Sequence, residues 1–176
     1  MSDGPSGRKR ASMSIDALLR WLEATSIATT ISENDLLFPW IEAVHVLAIT
    51  LVVGSILIVD LRLVGWASLD RAAHALMAEA LPITWAAFGL AAVTGLLLFA
   101  SKAVTYGHNF FFLSKLALLT LAGINMAVFH VVAGREVERW GAGVRCPRPA
   151  RIAGFASLAL WIAVVACGRW IGFTLR

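Results

Sequence analysis

Charge is scarce in this chain of 176 residues: only 15% are Asp, Glu, Lys or Arg, where a soluble domain carries about a quarter. Apolar residues make up 59% and the mean hydropathy is +0.79, so the composition excludes an ordinary soluble domain. Cysteine is nearly absent. Cys146 falls in a loop and Cys167 inside an apolar run, and two such residues build no disulfide framework. Period-2 alternation of apolar and polar residues is missing, which excludes a membrane β-barrel. No continuous apolar core follows the "RKR" at 8–10, so no cleaved signal peptide is expected. The formal net charge of +4 does not mark a nucleic-acid partner, because the basic residues gather at the ends of apolar runs, where Lys and Arg set topology.

What is present is four apolar runs, at about 36–59, 81–100, 110–132 and 152–168. Each approaches the roughly 20 residues a spanning helix needs, and a bilayer admits only helices or closed barrels. The expected fold class is all-α: an integral membrane four-helix bundle occupying 32–176 as one domain, with the lipid bilayer as its first partner. Residues 1–13 read as a disordered basic tail. Residues 14–31 read as an amphipathic interfacial helix, capped by Ser14, with Ile15, Leu18, Leu19 and Leu22 in one stripe. The loops after the first and third runs carry Arg62, Arg71, Arg135, Arg139, Arg145, Arg148 and Arg151. The opposite side has only Arg20, Lys102, Arg169 and Arg176 close by, and Arg8, Lys9 and Arg10 lie too far from the first run to count. The positive-inside rule then puts those two loops in the cytoplasm and both termini in the periplasm of a bacterial inner membrane.

Four polar residues inside the runs carry the chemistry. Glu42 and His45 share a helical face in "PWIEAVHVLAIT" (39–50). At the helical rise of 1.5 Å per residue, His45 lies about 14 Å below the outer end of its run and Lys115 about 8 Å below the end of its own. His130 closes the third run about 30 Å from its start, roughly 16 Å too deep to share an iron with His45. His45 and Lys115 are therefore the pair that can meet, and His74 with His130 forms a weaker second-site pair on the cytoplasmic side. Other readings stay open. Glu42 and His45 can satisfy each other in a neutral network, Lys115 can snorkel to the headgroups, and Asp60 with Arg62 can be a helix-end ion pair. Asn125 is expected to hydrogen-bond inside the bundle.

From "WLEAT" (21–25) to "CGRWIGF" (167–173) the chain resembles a bacterial family of four-helix membrane proteins without an assigned function. The stretches that carry the resemblance are "LFPWIEAVHVLAITLVVGSILIVDLRLVG", "LPITWAAFGLAAVTGLLLFASKAVTY" and "AGINMAVFH". More remotely it is similar to the HemJ-type protoporphyrinogen oxidases and to the membrane part of copper-resistance protein D (CopD). The HemJ-like positions are His45, the arginine Arg62 closing the first run, Pro82 opening the second, and Lys115; the chain departs from that pattern at Glu42. This resemblance implies a haem b held at His45, with Lys115 at the same site.

The expectation is an inner-membrane haem b protein of electron transfer or membrane redox chemistry, with no catalytic residue assigned. His45 would be the iron ligand, Glu42 would bond its other ring nitrogen or a propionate-bound water, Lys115 would be a sixth ligand or propionate partner, and Arg62 would orient the cytoplasmic end. Quinone or a redox protein is the candidate electron partner, and a homo-oligomer is a candidate assembly. The alternatives are a copper-handling or metal-transport protein using Glu42, His45, Met126 and Cys167, and a cofactor-free structural or assembly subunit. Against copper, no paired methionine or cysteine–histidine cluster stands at ligand spacing.

Overall fold

The computed structural model describes residues 15–174; the tail assigned to 1–13 and the cap assigned to Ser14 lie outside the described residues. Those described contain helices and no strand. A helix over 15–23 (α1) is followed by α2 (Ser26–Glu33), α3 (Leu37–Val64), α4 (Ala73–Ser101), the short α5 (Ala103–Gly107), α6 (Phe110–Val132), a 3-10 turn (Gly134–Arg139) and α7 (Arg148–Thr174). α3, α4, α6 and α7 are each long and apolar enough to cross a membrane. Their apolar side chains largely face outward: in the most apolar stretch of α6 none of the residues is buried. Such a surface suits a surrounding of lipid, and the chain is a membrane protein.

The bundle is two helix pairs, α3 with α4 and α6 with α7, joined mainly through α3 and α7. Gly154 makes the second contact close. A Cβ there would sit 3.2 Å from the Asp60 carbonyl oxygen and from Leu63 and Val64 side-chain atoms, as small residues permit at membrane-helix interfaces. The Asn125 amide also donates across the α6–α7 pair to the Ala153 carbonyl at 3.0 Å. α4 and α6 touch through Phe99 stacked on Phe112, ring centroids 5.2 Å apart, but their backbones do not pack together, which leaves a cleft between the pairs.

The amphipathic segment is two helices rather than one. Thr25 interrupts it, because its side-chain oxygen accepts the Ala28 N–H and caps α2. These helices sit over the N-terminal end of the bundle. Ala28 and Ile31 of α2 are buried, Glu23 of α1 accepts the Val104 N–H at 2.9 Å, and Leu19 packs on Gly107. Ile15, Leu18 and Trp21 remain exposed, an apolar face of the kind that lies along a membrane surface.

Two of the four long helices overrun their expected starts. α4 begins at Ala73, so Pro82 lies inside the helix and does not open it. α7 begins at Arg148 and continues to Thr174. At the arginine-rich end, the loop after α3 and the segment after α6 are tied together: Ala73 N–H donates to the Trp140 carbonyl and Gly143 N–H to that of Leu69. Beneath them Leu63, Phe129, Val137, Trp140 and Ala150 form a buried core.

Candidate functional site

His45 stands one-third of the way down α3 and turns to α4. Its Nδ1 lies 2.9 Å from the Thr94 hydroxyl. That hydroxyl is itself 2.7 Å from the Leu90 carbonyl, one turn back in α4. A threonine hydroxyl has one proton to give. With it donated to Leu90, the oxygen accepts from His45 Nδ1–H, and Nε2 keeps its lone pair. Nε2 has no hydrogen-bond partner among the described residues. The ring lies against Gly95, where a Cβ would come within 2.9 Å of Cε1, so any larger residue would displace the imidazole. The consecutive Thr94 and Gly95 thus orient the ring and make room for it.

Lys115 of α6 does not reach outward for the headgroups. Its amine lies against α7, 3.9 Å from where a Cβ on Gly168 would stand, and it forms no ion pair or hydrogen bond among the described residues. It is close enough to His45 for the two charges to interact. Glu42 is exposed and makes no hydrogen bond to His45, contrary to expectation, because Thr94 has taken the available ring N–H. The Tyr106 hydroxyl of α5 is held above its usual pKa first by burial and then by the negative charge of Glu42.

Arg62 does not belong to this layer and does not pair with Asp60. It is 1% exposed, and its guanidinium faces the loops. Nε donates to the Arg71 carbonyl at 2.8 Å, and Nη2 donates to those of Gly141 and Val144 at 3.0 and 3.1 Å. Nη1 reaches the Cys146 sulfur at 3.5 Å. One planar cation therefore clamps both loops of that end, which sequence reasoning glimpsed only as an orienting role.

The second polar layer lies around a cavity of about 190 Å³ in the arginine-rich half, walled by all four long helices. Asp60, Thr84, Asn125, His130 and Ser157 contribute polar groups. The His130 Nδ1 is bonded to the Met126 carbonyl at 2.9 Å, and Met126 also lines this cavity, well away from His45. His74 is exposed on the first turn of α4 and no contact joins it to His130. Among the described residues no three His, Cys, Asp or Glu side chains come together as a metal-binding group. The copper candidates Glu42, His45, Met126 and Cys167 accordingly do not form one ligand set. Thr94, Gly95 and Gly168 were missed at the site itself.

Neither the curated proteins nor the solved structures contain a match to this chain. The pattern of a family of unknown function, DUF6644, matches residues 19–174, from mid-α1 to the last residue of α7. The chain belongs to the DUF6644 family.

Proposed function

We propose that this protein binds haem b through His45 Nε2 in a bacterial inner membrane and serves electron transfer or membrane redox chemistry. The observation that carries this reading is the state of the imidazole: Nδ1 is engaged by Thr94, Nε2 is unpartnered among the described residues, and Gly95 leaves the ring space. Metal-bound histidines are held in this way, the second nitrogen fixing tautomer and orientation. The residues fit the group. His45 would hold the iron through Nε2, and the Lys115 amine would hold a propionate or the iron. Glu42 contributes charge at the rim, and Arg62 serves the fold. A bound haem supplies one-electron chemistry, while the axial ligand, burial and nearby charge tune it. The HemJ-type resemblance read from the sequence would assign the same two residues, His45 and Lys115, but no curated protein matches the chain; CopD-like copper handling draws no support from the ligand geometry.

The protein purified in mild detergent is expected to show a Soret band, a sharpened α band on reduction, and iron in excess of copper. A colourless protein free of both metals would return the cofactor-free reading.

In the proposed orientation the arginine-rich loops face the cytoplasm and the N-terminal helices the periplasm. Asp70 and Thr105 are exposed at opposite ends of the bundle, which makes them better reporters than the buried Cys146 or Ser101. With native cysteines replaced, a membrane-impermeant maleimide on intact spheroplasts is expected to label Thr105→Cys and spare Asp70→Cys. The opposite pattern reverses the topology.

A further inference from the structure

We propose that the cavity in the arginine-rich half of the bundle binds a small lipophilic amine, its protonated nitrogen held by the Asp60 carboxylate. Asp60 lines that cavity, is only 5% exposed, and its Oδ2 is buried with no hydrogen-bond partner. Ser157 lies beside the carboxyl but leaves this oxygen free. An acidic side chain within a spanning helix is costly, about 2.5–3.5 kcal/mol on insertion scales, and such residues are normally paired. The nearest cation in sequence is no partner, since the Arg62 guanidinium bonds the loop carbonyls and Cys146. Among the described residues Asp60 has no ion pair. Arg151 Nε, the other buried polar atom without a partner, makes no ion pair with it, so the partner left is a group that enters the cavity and turns the buried Oδ2 toward it.

The walls state the rest of the ligand's chemistry. Trp85, Phe88, Phe129 and Trp161 line the same space, and Trp85 meets Phe88 edge to face with centroids 6.0 Å apart. Aromatic faces attract organic cations, most strongly where water is excluded. A bare metal ion would find one carboxylate and few other oxygens, too little to replace its hydration shell. An anion would meet Asp60. Size limits the guest to one ring with a short chain, because a cavity of about 150 Å³ already holds benzene and this one is about 190 Å³. The way in is lateral: α4 and α6 both line the cavity and their backbones do not pack together there, the Phe99–Phe112 stack lying at the other end of the bundle, so a lipid-dissolved molecule can pass between them. The site lies in the opposite half of the bundle from His45 and does not rest on the haem reading.

The test uses the detergent-solubilised full chain at neutral pH, titrated with 2-phenylethylamine and with its neutral counterpart 2-phenylethanol. Binding is read by calorimetry and by the emission of Trp85 and Trp161. The amine is expected to bind about tenfold more tightly than the alcohol or better, as a charge-assisted hydrogen bond provides. Asp60→Asn, which keeps shape and removes charge, is expected to bring the two affinities together. Equal affinities in the native protein, no saturable binding of either probe, or an amine preference that survives Asp60→Asn would each overturn the proposal. The amine–alcohol comparison decides alone if Asp60→Asn does not fold.

Discussion

Arg62→Met is expected to be the most destabilising single substitution in the chain, and to open the arginine-rich end. Two effects oppose each other. Removing a buried guanidinium recovers its desolvation cost, and apolar replacements of buried charges are often tolerated for that reason. That tolerance requires the partners to be replaced as well, and here they are backbone carbonyls of Arg71, Gly141 and Val144, which cannot be removed. These are three part-buried hydrogen bonds from a charged donor, each worth about 1.5–3 kcal/mol, so after the recovered desolvation the loss is roughly 3 kcal/mol, a large share of the 5–15 kcal/mol typical of a folded domain. Arg62→Lys should fall between, because an ammonium lacks the planar fork that reaches both loops at once. Cys146 reports the outcome. It is 4% exposed, and burial pushes its thiol above the usual pKa, although Arg62 and Arg151 nearby oppose that shift. Loss of the Arg62 charge alone would make the thiol harder to ionise and slower to alkylate. Faster alkylation of Cys146 in Arg62→Met, together with a lower melting temperature, therefore measures opening of the loops. A variant that melts like the native protein with Cys146 still protected would show that the clamp is dispensable.

The four membrane helices were legible because a bilayer demands long apolar runs, and the sequence contains four of them. Their ends were not. α4 continues eight residues before the expected start, through "AHALMAEA", since hydropathy falls before helicity does. Pro82 was misread as a boundary for the same reason: proline inside a membrane helix is tolerated where neighbours satisfy the freed carbonyl. The two expected short-range pairs failed on geometry. Asp60 and Arg62 are two apart, and residues at that spacing do not face each other on a helix. Glu42 and His45 are three apart and can meet, but the ring found Thr94, which lies 49 residues away in sequence. The Arg62 acceptors are comparably remote, with Gly141 and Val144 separated from it by 79 and 82 residues. Depth along the helices puts His45 and Lys115 about 6 Å apart in level from the sequence alone, because helical rise is fixed. Which side chains meet at that level is decided by helix rotation, and a single sequence carries little of that information.

If haem b sits on His45, His45→Ala should abolish the Soret band while the protein still inserts and purifies. His130→Ala should keep it, because that ring borders the cavity of the other half and bonds its own helix at Met126. The residues around the imidazole separate a ligand from a packing histidine more sharply. Thr94→Val keeps shape but removes the acceptor that fixes Nδ1–H, and loss of such a partner weakens metal binding about 10–100-fold. Gly95→Ala puts a methyl group within 2.9 Å of Cε1 and must turn the ring, so the Soret maximum should shift or its intensity fall. A histidine that only ties α3 to α4 would make Thr94→Val a matter of stability, with the spectrum of the folded fraction unchanged. Lys115 distinguishes its own two roles. An iron ligand needs a lone pair, which arginine does not offer, so Lys115→Arg would give a five-coordinate spectrum. A propionate partner needs only a cation, so Lys115→Arg would be nearly silent and Lys115→Met would weaken haem retention. The second pattern is expected, because the amine lies against Gly168 of α7 while the His45 ring is seated on α4. Identical spectra and haem retention in Lys115→Arg and Lys115→Met would remove Lys115 from the site, and a Soret band surviving His45→Ala would remove the site itself.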